Sequence, residues 1–190
     1  MKHKIIINLF LLIIVLSGCH SDENTAPLMN LTNEFVINNE RTYPTPNGYF
    51  EEYISEGKVI WFALKLINGR FLSTSNSEAL PCPYVENLNH GISIGLRLDH
   101  DKRLETGTYN YTISENNLGI IDNSEIFYGF NFLDDCFGTS ETILKIVSGT
   151  LIVQKEAQNY NILYTLTSES GDIIKGHFSG NLIPRIIPEW

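Results

Sequence analysis

The sequence predicts an all-β fold, either a sandwich or a barrel. Apolar and polar residues alternate in most segments, which is the period of a half-buried strand. Turn signals separate these segments at intervals of roughly 8–15 residues, as in all-β domains. The 14 Gly, 9 Tyr and 10 Phe of the 190 residues suit strands and turns. No segment combines a sustained helical period with capping residues.

The chain begins with a segment typical of an export signal. Lys2 and Lys4 precede an apolar run from Ile5 to Leu16. This run is shorter than the ~20 residues of a membrane-spanning helix, so residues 1–18 are interpreted as a signal peptide. The sequence Leu16-Ser17-Gly18-Cys19 resembles the bacterial lipobox. That resemblance implies cleavage before Cys19 and attachment of a diacylglycerol to its thiol.

Residues 19–32 are polar and are interpreted as a flexible tether. Asp22 and Glu23 form a short acidic pair just after Cys19, which resembles the surface-export signal of Bacteroidota lipoproteins. An outer-membrane lipoprotein is therefore expected, facing either the cell surface or the periplasm. Residues 33–190 are expected to form one domain.

The first half of this domain contains three clear strand patterns. Phe35 and Ile37 alternate weakly with Glu34, Val36 and Asn38. Residues 58–67 are apolar on both faces, as in a strand covered on both sides. Asn68-Gly69 then forms a strong turn signal. In residues 91–99 the aliphatic residues alternate with small or charged ones, which predicts a strand with one buried face.

A further strand is predicted over residues 125–133, where the aromatic residues would divide between two faces. One face would carry Ile126, Tyr128, Phe130 and Phe132, and the other Phe127, Gly129 and Asn131.

The C-terminal third predicts a three-stranded meander. Its strands are expected at residues 148–154, 159–167 and 173–182, with a turn at residues 169–172. Pro184 and Pro188 are expected to end the sheet, because proline has no amide hydrogen to donate.

Two parts of the domain resemble small lipoproteins of Bacteroidota. These are the turn Leu104-Glu105-Thr106-Gly107-Thr108-Tyr109 and the hairpins that contain Ser148-Gly149-Thr150-Leu151 and residues 171–180. Some of those proteins look calycin-like, so the resemblance implies an antiparallel β-sandwich or a calycin-like barrel. A barrel of that type could hold a small apolar ligand.

Cys82 and Cys136 remain once Cys19 carries lipid. An even pair of cysteines outside the cytosol favours a disulfide, although two free thiols remain the alternative. The cysteines have no CxxC spacing and no neighbouring histidines, so no metal or other cofactor is expected.

No catalytic constellation emerges from the sequence. Ser93 lies in a Gly-Ile-Ser-Ile-Gly match to the nucleophile elbow, but within a predicted strand and with no helix after it. His100, between Asp99 and Asp101, is interpreted as part of an exposed hairpin tip. We therefore expect no enzyme. The excess of 22 acidic over 13 basic residues, a formal charge of −9, argues against nucleic-acid binding.

Aromatic residues are the candidates for ligand contact. Tyr49, Tyr53 and Trp61 lie close together in the sequence and could stack on a sugar ring, although strands bury aromatic residues routinely and core packing is the more ordinary explanation. The expected function is a lipid-anchored, extracytoplasmic binding or interaction module. A barrel with a small apolar ligand and a glycan-contact lipoprotein are its alternatives, and the partner is a glycan, an apolar molecule or a protein.

Overall fold

The computed structural model describes residues 32–55, 58–71, 85–98, 103–113, 119–120, 123–132 and 138–188. The predicted signal peptide, Cys19, both candidate disulfide cysteines and His100 lie outside the described residues. The strands are β1 Glu34–Ile37, β2 Arg41–Pro44, β3 Asn47–Ser55, β4 Lys58–Ile67, β5 Arg70–Phe71, β6 Val85–Glu86, β7 His90–Arg97, β8 Gly107–Asn110, β9 Gly119–Ile120, β10 Glu125–Phe132, β11 Gly138–Glu156, β12 Asn159–Ser168 and β13 Ile173–Pro188.

Seven of these strands close into a barrel. Their order is β12-β11-β10-β7-β4-β3-β13, and β13 pairs again with β12 to complete the ring. All neighbours are antiparallel except β13 and β3, which run parallel, so the barrel is mixed. The all-β prediction is confirmed, and the barrel is the observed one of the two predicted architectures. The predicted meander is also confirmed as β11, β12 and β13.

The prediction that Pro184 and Pro188 end the sheet is wrong. Strand β13 continues through both prolines and pairs with β3 from Leu182 to Pro188. Beyond Asn181, the described partners of β13 lie on only one of its edges. The two prolines are four residues apart, so their nitrogens point to the same edge of the strand. A nitrogen that faces the unpaired edge leaves the ladder with β3 intact.

Strand β11 is long because it serves two parts of the barrel. Its first half pairs with β10 and its second half with β12 and β8. The register with β12 shifts between Ile146 and Ser148, and Gly149 has a φ of 145°. A Cβ atom at Gly149 would collide with the backbone of Thr165 and Leu166, so only glycine fits this close crossing.

Side chains fill the interior of the barrel. The main core cluster contains 21 buried residues from most of the strands, and the large ones at its centre include Phe35, Phe178, Leu64 and Ile92. Tyr164 is also in this core, and none of the described residues gives its hydroxyl a hydrogen-bond partner. The close apolar packing accounts for the alternation in the sequence, since each strand directs every second residue inward.

The predicted division of the aromatic residues in β10 holds only as far as Tyr128. Gly129 has a φ of 67°, in the left-handed region, and the paired register with β11 resumes at Phe130. Phe127 and Phe130 were expected on opposite faces, but their ring centroids are 5.7 Å apart. The register with β11 is the same on both sides of Gly129, so the departure from the prediction is local to this glycine and Phe130.

Candidate functional site

An open groove of about 1070 Å³ lies on the outer face of the barrel. Strands β3, β4, β7, β10 and β11 contribute to its lining. Tyr53 and Trp61 lie at one end, and Ile143 and Val147 of β11 lie at the other. Both aliphatic side chains are unusually exposed, at 51% and 44%. The groove therefore offers aromatic, polar and aliphatic surface in one continuous depression.

The strand register explains how the floor of the groove is formed. Lys65 pairs with Ser93, Ser93 with Glu125, and Glu125 with Lys145, so these four side chains form one row across the sheet. In the adjacent row Ala63 pairs with Gly95. Both of these residues are buried, so the row of Lys65, Ser93 and Glu125 forms the floor of the groove.

A buried carboxylate lies beside this floor. Glu51 points outward from β3, yet it is only 1% exposed. Its Oε2 atom lies 2.7 Å from Nζ of Lys65, and its Oε1 atom lies 2.5 Å from a guanidinium nitrogen of Arg185. Tyr53 donates its hydroxyl hydrogen to Oε2 at 2.9 Å. Both oxygens of the carboxylate are thus engaged, and three strands are joined through it.

The surroundings of Tyr53 favour the protonated form of its hydroxyl. Burial raises the pKa of Tyr53 far above its ordinary value, and the adjacent Glu51 carboxylate raises this pKa further. The phenol therefore stays protonated and keeps its hydrogen bond to the carboxylate.

The ring of Tyr53 lies against one face of the indole of Trp61. The two rings are stacked, with centroids 3.8 Å apart and planes inclined by 10°. They are direct cross-strand partners, and the register of β3 and β4 shifts immediately afterwards, between Tyr53 and Ile54. A bulge at this place increases the local twist and sets the direction of neighbouring side chains. The hydrogen bond to Glu51 restrains the ring of Tyr53, and this ring in turn restrains the indole that is stacked on it.

A short two-stranded ribbon, β5 with β6, packs beside the cluster around Glu51 through Arg185. The guanidinium carbon of Arg185 lies 3.7 Å from the centroid of the Phe71 ring. The backbone amide of Phe71 donates to the hydroxyl of Tyr49 at 3.0 Å. Val85 of the ribbon forms a second buried cluster with Tyr49 and Ile67 of the barrel. These contacts hold the ribbon against the barrel wall.

The structure separates the three aromatic candidates. Tyr53 and Trp61 come together at the end of the groove, and each is partly buried. Tyr49 is 1% exposed and forms part of the second buried cluster, so its position is that of a packing residue. Ligand contact at Tyr53 and Trp61 stays a prediction.

The other candidates have simpler outcomes. Ser93 lies in the middle of strand β7 and faces the groove, between Lys65 and Glu125 in the pairing row. Within the part of the chain that the structure describes, no group of three or more His, Cys, Asp or Glu residues is arranged to hold a metal ion. His90 lies away from the groove, with its Nε2 atom 2.8 Å from the carbonyl oxygen of Pro44.

Sequence reasoning missed the charged residues of the site. Glu51 alternates with Tyr49 and Tyr53, and an acidic residue at the centre of an aromatic face was the available signal. Arg185 carried no such signal, because it follows Glu51 by 134 residues and meets it only through the parallel pairing of β13 with β3.

Comparison with known proteins yields no matching family model, no matching curated protein and no matching solved structure. Among the described residues, no helical segment has the length and apolarity that a bilayer crossing requires. Functional inference therefore starts from the groove itself.

Proposed function

We propose that the chain is a lipid-anchored, extracytoplasmic binding module that holds a saccharide in the outer groove. The stacked Tyr53–Trp61 pair carries this proposal. An aromatic ring held in a fixed orientation at a surface groove suits the flat apolar face of a sugar ring. Fixing it beforehand lowers the entropy lost when a ligand binds.

The polar lining supports the same ligand class. Ser93, Ser140 and Asn123 provide hydroxyl and amide groups, and Lys65 and Glu125 provide a charged donor and a charged acceptor. A sugar presents hydroxyl groups around its rim that both donate and accept. The volume of about 1070 Å³ is at the upper end of small-molecule sites, which suits an oligosaccharide better than a single sugar.

The interior of the barrel gives less support to a small apolar ligand. The core cluster occupies it with buried side chains, and the large residues at its centre are close to 0% exposed. The outer groove is the place where the described surface offers room together with polar groups.

The anchor is proposed from the lipobox at residues 16–19. Radioactive palmitate should label the full chain, whereas a Cys19→Ala variant should remain unlabelled. Equal labelling of both chains would contradict the anchor. Two or more acyl chains give stable attachment to a membrane.

Binding is tested by affinity electrophoresis of the full chain through native gels that contain neutral or acidic polysaccharides. Trp61→Ala should abolish retardation while the melting temperature stays close to that of the wild type. Tyr160→Ala replaces a partly buried aromatic residue outside the groove lining and serves as the control. Failure of every polysaccharide to retard the wild type, or unchanged retardation of Trp61→Ala, would refute saccharide binding in this groove.

A further inference from the structure

The charges at the aromatic end of the groove do not balance. One carboxylate, Glu51, faces two cations, Lys65 and Arg185. The cluster therefore carries one excess positive charge, in a chain whose formal net charge is −9. Arg185 alone would neutralise Glu51, so the described ion pairs leave the second cation without an anion of its own.

The excess charge is accessible at Lys65. Glu51 is 1% exposed, and the side chain of Arg185, at 19%, stacks on Phe71. The side chain of Lys65 is 27% exposed and lines the groove. An ammonium group has three hydrogens to donate. Its contact with Glu51 requires one of them, so the remainder are available to a ligand.

Lys65 also lies close to the aromatic pair. Its ammonium and the hydroxyl of Tyr53 both contact the same oxygen of Glu51, at 2.7 Å and 2.9 Å. The ring of Tyr53 is in turn stacked on Trp61. A ligand that lies on the indole therefore has a cationic donor within its reach.

Beside Tyr53 and Trp61 the described side chains offer mainly donors, while the acceptors Ser93 and Glu125 follow Lys65 along the floor of the groove. Both oxygens of Glu51 are engaged by Lys65, Tyr53 and Arg185. The indole of Trp61 has one N–H group, which can only donate. A ligand that brings its own acceptor, with a negative charge, fits this arrangement better than a neutral ligand does.

We infer that the Trp61 end of the groove takes an acidic sugar residue, stacked on the indole with its carboxylate paired to the ammonium of Lys65. This inference rests on the proposed saccharide binding and specifies its ligand class. The ligand carboxylate would complete an alternating set of two anions and two cations around Lys65 and Arg185. Each cation would then have an anionic partner of its own, which the described ion pairs around Glu51 do not provide.

The test compares acidic polymers with their own methyl esters, which keep the sugar ring and remove the charge. The full chain is run through native gels that contain polygalacturonate, alginate or hyaluronate, or the esterified form of each. We expect at least one acid to bind about tenfold more tightly than its ester, the effect of one hydrogen bond to a charged group. Lys65→Gln should reduce this ratio to near one, and Lys175→Gln, at an exposed position on β13, should leave it unchanged.

Each outcome decides between the two proposals. Equal retardation by acid and ester, or retardation by neutral galactomannan alone, overturns the acidic class and leaves saccharide binding standing if Trp61→Ala abolishes it. No retardation by any polymer overturns both. If Lys65→Gln does not fold, the comparison of acid with ester on the wild type still decides the ligand class.

Discussion

Replacing Glu51 by glutamine should destabilise the protein strongly, although the two side chains have nearly the same shape. The amide keeps one acceptor oxygen and gains two donor hydrogens. In either orientation of the amide, Lys65 or Arg185 faces its NH₂ group instead of an oxygen. The negative charge that offsets the repulsion between these two cations is also lost. Breaking a buried ion pair costs 3–5 kcal/mol, and the partial exposure of both cations favours the lower end, about 3 kcal/mol.

Thermal and urea unfolding of the full chain measure this effect. A loss of about 3 kcal/mol corresponds to a decrease in melting temperature of about 6–12 °C for a domain of this size. Glu156→Gln, at an exposed position on β11, is the matched control and should melt within about 1 °C of the wild type. If Glu51→Gln also melts within about 1 °C of the wild type, the reasoning about the buried carboxylate is refuted.

A triple replacement separates stability from binding. Glu51→Leu, Lys65→Met and Arg185→Met together remove the whole charged cluster, and apolar replacement of buried ion clusters is often neutral or stabilising. We expect the triple variant to recover most of the stability that Glu51→Gln loses. We do not expect it to bind acidic polymers as the wild type does. If the triple variant binds acidic polymers, the charged cluster contributes to the stability of the fold and not to ligand binding.

Three further outcomes follow from the core and the histidines. Tyr164→Phe should stabilise the protein by about 1 kcal/mol in urea unfolding, because no described residue forms a hydrogen bond with the buried hydroxyl. A loss of more than about 1 kcal/mol would show that the hydroxyl does have a hydrogen-bond partner. Gly176→Ala should cost about 1–3 kcal/mol of stability, since the added methyl group would collide with the ring of Tyr164. The control Gly107→Ala would make only ordinary contacts and should be nearly neutral. Equal stabilities of the two variants would contradict the crowding at Gly176. Burial lowers the pKa of His90 and of His177, so the unfolded state binds protons more readily and stability should fall as the pH decreases from about 6.5. His90→Phe should flatten part of this fall between pH 7.5 and 5, and an unchanged pH profile of the urea midpoint would contradict that role.

The sequence alone determined the class of the fold and many of its strands. The apolar run of residues 58–67 and the alternation in residues 91–99 and 159–167 identified β4, β7 and β12. These patterns are readable because the direction of every second side chain is a local property of an extended backbone. The same local rule failed next to Gly129, where φ is positive and the ring of Phe130 lies beside that of Phe127 rather than on the opposite face.

The tertiary structure decided how the sheet closes and where the groove lies. The parallel pairing of β13 with β3 completes the barrel and brings Arg185 to Glu51 across 134 residues. Periodicity within one strand carries no information about such a register, which depends on which distant strands pair and with what offset. Tyr53 and Trp61 were visible as aromatic candidates, but their rigid support and the unbalanced charge beside them arise only when three strands meet around one buried carboxylate.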